Sequence, residues 1–255
     1  MSETTISRSK QERIEQERTD SLNEVQSILN TLFVRRRKEV NLQDPEIYSA
    51  HSKLVVACAN SILAKKNRRF VIDDHNRLAI RFLLYYFNGS PLAEDVFPDR
   101  HYDLNKNILL AGNAGVGKTL LMEVFSLYCN KTNNPRAFRT ISQTQLLNYY
   151  KQHNHIDYYT YNTEQSHTYD GQPFSLCLND IGLRTQQFYG NNTEQVIEEF
   201  LFARNEIWEQ QGRATHITTN LDKEEIERLF HDDHNRLTDR FKMFNVLAID
   251  GDSRR

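Results

Sequence analysis

The chain has 255 residues, with 32 Lys and Arg against 34 Asp and Glu, for a formal net charge of −2. That balance excludes a uniformly basic protein that coats nucleic acid, though it leaves room for a local basic patch. No apolar run approaches the ~18 residues of a membrane span, and the opening Met1-Ser2-Glu3-Thr4 carries no apolar secretory stretch. The three cysteines, Cys58, Cys129 and Cys177, form no CxxC pair. A reduced, zinc-free, cytoplasmic protein that meets no membrane is expected. Hydrophobic residues make up only 38%, but 14 Phe and 12 Tyr supply large rings that can close a core.

The first twenty residues are polar and predict a frayed arm. From Leu22 a helical period sets in, with Val25, Leu29, Leu32 and Phe33 on one face, closed by the cations Arg35 to Lys38 at its dipole's negative end. A second helix is predicted over Pro45 to Lys66, a short extended piece at Phe70-Val71-Ile72, and a third helix from Asp74 to Phe87. A loop from Gly89 runs to Asp103. Residues 1–66 are thus read as a mainly helical N-terminal region for partner binding, and residues 67–255 as a second domain whose sheet starts near Asn107.

From Asn107 strands and helices alternate, as a parallel α/β sheet requires. The predicted strands are Ile108–Ala111, Ala137–Ile141, Phe174–Leu178, Ala214–Thr219 and Asn245–Ile249. Ser142 with Gln145, Asn192 with Gln195, and Asp222 with Glu225 carry the spacing of helix-capping boxes. A helix apolar on nearly every side, Leu120–Cys129, is expected to be buried. Five strands with helical crossovers make a three-layer α/β sandwich. The echo between Asp73–Phe82 (DDHNRLAIRF) and Asp232–Phe241 (DDHNRLTDRF) is read as shared local grammar, since its spacing is no solenoid period.

Gly112-Asn113-Ala114-Gly115-Val116-Gly117-Lys118-Thr119 fits the pattern GxxxxGK[ST] in full. Glycines let backbone N–H groups converge on phosphates at a helix N-terminus. Lys118 is then expected at the β- and γ-phosphates of a nucleotide such as ATP, and the Thr119 hydroxyl on Mg²⁺. The acidic strand that should face this loop is Leu176-Cys177-Leu178-Asn179-Asp180. Asn179 stands where an aspartate is usual, accepting a bond from Mg²⁺-bound water without bringing charge, and Asp180 must hold the metal or act as base. Nucleotide binding with slow hydrolysis is expected. Asn220, ending the fourth strand after Thr218-Thr219, can orient an attacking water.

These segments, with NRLTDRF and the closing FNVLAIDGDSRR, resemble in their order the AAA+ ATPases of the DnaC/IstB type, which are helicase loaders and transposition helpers. The resemblance spans about Asp103 to Arg255. It implies an AAA+ P-loop fold in which Asn220 is sensor 1, Arg240 a trans arginine finger with Arg236 as companion, and Arg255 sensor 2. It also implies ATP and Mg²⁺ as cofactors, homo-oligomers in the ATP state, and a replicative helicase or a transposase as partner. An ATP-gated binding protein that hardly hydrolyses remains the reading from another class.

The remaining segments carry less. Tyr149, Tyr150, Tyr158, Tyr159 and Tyr161 interleave with Lys151, His153 and His155, a composition that can stack single-stranded DNA bases or simply pack a loop. His231-Asp232-Asp233-His234 has ligand-type residues but reads first as a helix start.

Overall fold

A computed structural model describes residues 40–161, 173–182, 193–222, 224–226 and 242–254. All of these but Val40 belong to one compact unit, Asn41–Arg255. The helix predicted from Leu22, the Arg35–Lys38 run, the Asn192 cap and the His231–His234 cluster lie outside the described residues.

Helix α1, Pro45–Leu63, starts where the sequence places it. The Asp44 side chain accepts from the N–H groups of Glu46 (2.8 Å) and Ile47 (3.5 Å), and Pro45 fills the first position, where no N–H is needed. Its buried residues are Val55, Cys58, Ala59 and Leu63; the helix packs on the one that follows the phosphate loop, and His51 Nδ1 lies 2.6 Å from the Tyr128 hydroxyl there. A 3₁₀ turn, Ala64–Lys66, ends at Asn67 in the left-handed region.

Phe70–Ile72 pairs with no strand among the described residues. Side chains satisfy its backbone instead: the Phe70 N–H donates to Asn60 Oδ1 (2.8 Å), and Val71 O accepts from Asn76 Nδ2 (2.9 Å). The next helix, α2, spans Arg77–Phe87 and not Asp74–Phe87. Asp73 and Asn76 hold the intervening turn, each side chain bonding the other's backbone N–H (3.3 and 3.0 Å), a local alternative to helix that these residues favour. Eight of the eleven α2 residues are buried. Phe87 stacks on Phe125 (5.3 Å) and Phe138 (5.1 Å), spacings typical of favourable aromatic pairs.

The sheet has five strands: β1 Asn107–Ala111, β2 Arg139–Ser142, β3 Leu176–Ile181, β4 Thr215–Thr219 and β5 Phe244–Ala248. Every pairing is parallel and the order is β2-β3-β4-β1-β5. Connecting helices are α3 Lys118–Lys131, α4 Gln143–His153 and α5 Thr193–Gln211. Parallel strands buried on both faces read as apolar runs, and Ile108, Leu109, Leu110, Leu176 and Leu178 are fully covered. The Ser142–Gln145 capping box forms in both directions (3.1 and 2.8 Å), as does the Asp222–Glu225 pair (2.8 and 2.9 Å). Helix α5 ends at Gly212 (φ 64°). Among the described residues no helix is long and apolar enough to cross a membrane.

One strand departs from its expected bounds with consequence. The acidic strand runs to Ile181, and its register against β4 shifts between Leu178 and Ile181. Asp180 sits in that bulge at φ 60°, so the two-residue alternation of side chains breaks at Asn179-Asp180.

Candidate nucleotide-binding site

The strand order puts β4 between β1, which feeds the phosphate loop, and β3, which carries the carboxylate. The carboxyl ends of these strands converge on one crevice, where ligands of open α/β sheets bind. Gly112 follows β1 at φ 144°, and a Cβ there would run into the Ile249 carbonyl behind β5; Gly115 (φ 89°) lies equally close to Ser253. Only glycine permits both the turn and the approach of the C-terminal tail. Gly117 (φ 105°) precedes α3, and a Cβ added to it meets nothing within 4 Å. Val116 is buried, whereas Asn113 and Ala114 form the exposed tip.

Lys118 is the first residue of α3 and is buried. Its ammonium donates to Gly112 O (2.7 Å), Asn113 O (2.8 Å) and Asn220 Oδ1 (2.7 Å). The amide that ends the fourth strand therefore meets the loop's lysine directly. One residue on, the Thr119 hydroxyl donates to Asp180 Oδ1 (3.2 Å). A hydroxyl beside a carboxylate is the hard-oxygen pair Mg²⁺ takes when nucleotide phosphates and water complete its shell. These residues fit a Mg²⁺-nucleotide.

Asn179 is placed differently from the expectation. It is buried, accepts from the Thr218 hydroxyl (3.2 Å) and the Cys177 thiol (3.5 Å), and does not line the crevice. The Thr218 oxygen in turn accepts the Asp180 N–H (3.0 Å). The bulge thus turns the amide into the sheet and presents Asp180 to Thr119.

The crevice is a cavity of about 620 Å³. The loop, Thr119, Asp180 and Asn220 make one wall; Ile62, Leu63 and the segment Lys66–Val71 make another; Asp252–Arg254 close it. Three lining groups escape the sequence reading. Glu123 lies one helical turn beyond Thr119, a spacing that puts both on one face; burial pushes its carboxyl up, Lys66 opposes that rise and Asp180 adds to it. Lys66, Arg68 and Arg69 bring cations from the end of α1. Arg254 pairs with Asp73 (2.7 Å), a contact no local pattern announces. Arg236, Arg240 and Arg255 lie outside the described residues.

The tyrosine segment is engaged with itself. Tyr149 stacks on His153 (4.3 Å) and meets Tyr159 (5.2 Å) and Tyr158 (5.7 Å), while Tyr158 contacts Phe174 (6.0 Å). Tyr161 hydrogen-bonds Glu206. These contacts match the packing alternative for the loop.

No protein-family model matches the chain, and no curated protein does. Solved structures do. The crystal structure of the DnaC helicase loader is 18% identical, over 71% of this chain and 93% of that one, with a TM-score of 0.46. The crystal structure of DnaI is 18% identical, over 74% and 89%, at 0.45. AMPPCP-bound DnaA from Aquifex aeolicus is 16% identical, over 72% and 49%, at 0.43. The strand order and the phosphate loop make this a three-layer α/β fold of the P-loop type.

Proposed function

We propose that the chain is an AAA+ ATPase of the DnaC/IstB type that uses ATP to load or remodel a replicative DNA helicase. The observation that carries the nucleotide part is the convergence of four groups from three strand ends: Lys118 on Asn220 and Thr119 on Asp180. Lys118 binds the β- and γ-phosphates, exchanging its carbonyl partners for phosphate oxygens. Thr119 and Asp180 hold Mg²⁺, which when bound neutralises phosphate charge. Asn220 orients the attacking water. Electrostatic positioning of this kind does most of the work in phosphoryl transfer. The order of motifs from the phosphate loop to FNVLAIDGDSRR supports the family reading, and with it Arg240 as a finger from the neighbouring subunit, Arg255 as a second sensor, a homo-oligomer in the ATP state, single-stranded DNA as a ligand and the cytoplasm as compartment.

The burial of Asn179 favours a slow enzyme. It leaves Asp180 as the carboxylate that meets Thr119, with Glu123, whose carboxyl burial pushes up, as the other acid of that wall. A protein whose ATP binding gates partner contact, with little turnover, is the second reading on the same observation. ATP hydrolysis by the full chain, with and without single-stranded DNA, distinguishes them: turnover that DNA raises supports the ATPase, and none under either condition supports the gated binder. Co-purification with a replicative helicase, rather than with a transposase, tests the partner.

A further inference from the structure

The tail after β5 runs back along the phosphate loop. Ile249 N–H donates to Ala111 O (2.9 Å) and Arg254 N–H to Gly115 O (3.0 Å), which fixes the backbone of Arg254 beside the loop. Its side chain reaches the turn before α2, where Nη2 lies 2.8 Å and 2.7 Å from the two carboxylate oxygens of Asp73. Nη1 is 3.5 Å from Val71 O. The carboxylate is itself held, because Asp73 Oδ1 accepts from the N–H groups of His75 (3.0 Å) and Asn76 (3.3 Å). Arg254 and Asp73 line the same cavity as Lys118.

A guanidinium offers one fork of donors that suits a carboxylate or a phosphate equally well. In a cavity built for a phosphate chain the two oxyanions compete for it. The geometry points to Asp73 as an internal competitor for Arg254: its carboxylate ties the tail to the turn before α2, and an incoming nucleotide draws Arg254 away. This rests on the reading of the cavity as a nucleotide site. Binding then frees the Phe70–Asn76 segment from the tail, so occupancy of the phosphate loop is relayed to the start of α2. Affinity is lowered by the fraction of molecules in which the pair is closed. For a part-exposed pair (side chains 28% and 38% exposed) that fraction corresponds to about a two- to fivefold effect.

The test is titration of ATP with Mg²⁺ into the full chain as wild type, Asp73→Asn, Arg254→Ala and the double variant. Asparagine keeps the oxygen that accepts from His75 and Asn76, and Asp73→Ser keeps one too should the amide fail to fold. Asp73→Asn is expected to tighten ATP binding about two- to fivefold, Arg254→Ala to weaken it, and the double variant to match Arg254→Ala. A gain that persists in the Arg254→Ala background means a general charge effect and overturns the competition, as does weaker binding in Asp73→Asn. Lys118→Ala run alongside separates the layers. Affinity unmoved by Lys118→Ala overturns the nucleotide site and the competition together. Loss of binding there, with no gain in Asp73→Asn, overturns the competition alone.

Discussion

The Lys118 ammonium and the Asn220 amide oxygen lie 2.7 Å apart, joining the end of β4 to the phosphate loop that follows β1. On the proposed reading, in which this amide orients the attacking water, Asn220→Ala is predicted to keep ATP binding within about threefold yet lower turnover by on the order of tenfold or more, since the cation remains. Steady-state turnover beside a binding titration checks the split. A variant that loses affinity and turnover equally would assign Asn220 to binding alone.

Asn179→Asp restores the residue usual at that position and, on the sequence alone, should strengthen Mg²⁺ dependence and raise turnover. The structure reverses that expectation. The new carboxylate would be buried against the Thr218 hydroxyl and the Cys177 thiol, and Asp180 and Glu123 already add to the burial that pushes the Cys177 thiol up. A further anion there is predicted to cost about 3 kcal/mol of stability, read as a lower denaturation midpoint, with no gain in turnover. Faster hydrolysis in a stable Asn179→Asp protein would show that residue 179 faces the metal.

His216 is buried against Phe87 and Phe138, with Nδ1 accepting the Ile108 N–H (3.1 Å). Burial first, then the charges of Arg136 and Arg204, pull it down to about 3. The folded protein therefore leaves His216 neutral where the unfolded chain, near 6.5, takes up a proton. The stability held above pH 6.5 is lost as pH falls from there toward 3, by at most about 1.4 kcal/mol per pH unit from this residue. Denaturant midpoints between pH 7 and 4 should fall more steeply in the wild type than in His216→Gln. Equal slopes would contradict the assignment.

Arg204 is buried yet donates to Thr215 Oγ1 (2.8 Å), Phe174 O (2.9 Å) and Ala214 O (3.1 Å), stapling α5 to the start of β4 and the segment before β3. Burial pulls it down to about 9, so it stays charged at neutral pH. Arg204→Ala takes the guanidinium from Phe174 O and Thr215 Oγ1, leaves Ala214 O with the Leu176 N–H alone (3.0 Å), and opens a void. It is predicted to cost about 3–5 kcal/mol, and Arg204→Lys, lacking the fork, should recover only part of that. A near-wild-type melting temperature for Arg204→Ala would contradict the role.

Two truncations test the N-terminal boundary. A cut after residue 40 is predicted to spare ATP binding, since the compact unit begins at Asn41. A cut after residue 66 removes α1 and uncovers the apolar surface that Val55, Cys58, Ala59 and Leu63 bury; it is predicted to lose the cooperative unfolding transition. A stable, ATP-binding 67–255 fragment would place the boundary at residue 67 after all.

The parts of the site that were legible beforehand are those written in contiguous residues. The loop Gly112–Thr119 and the box Ser142–Gln145 each satisfy their geometry within one short segment, so spacing alone specifies them. The orientation of Asn179 and Asp180 was not legible, because a bulge with Asp180 at φ 60° breaks the period on which strand facing is inferred. The turn at Asp73–Asn76 hid inside a helical pattern, since side-chain-to-backbone bonds compete locally with the helix. Arg254–Asp73 joins residues 181 apart, and only the completed fold brings them together.

Titration of ATP, with and without Mg²⁺, into the full chain and into Lys118→Ala tests the central claim most directly. Lys118 is the buried cation of the loop, shared by Gly112, Asn113 and Asn220, and the group proposed to meet the phosphates. Saturable, Mg²⁺-strengthened binding to the wild type is expected, with a loss of about a hundredfold or more in a folded Lys118→Ala protein. Equal affinity in the two would contradict that claim.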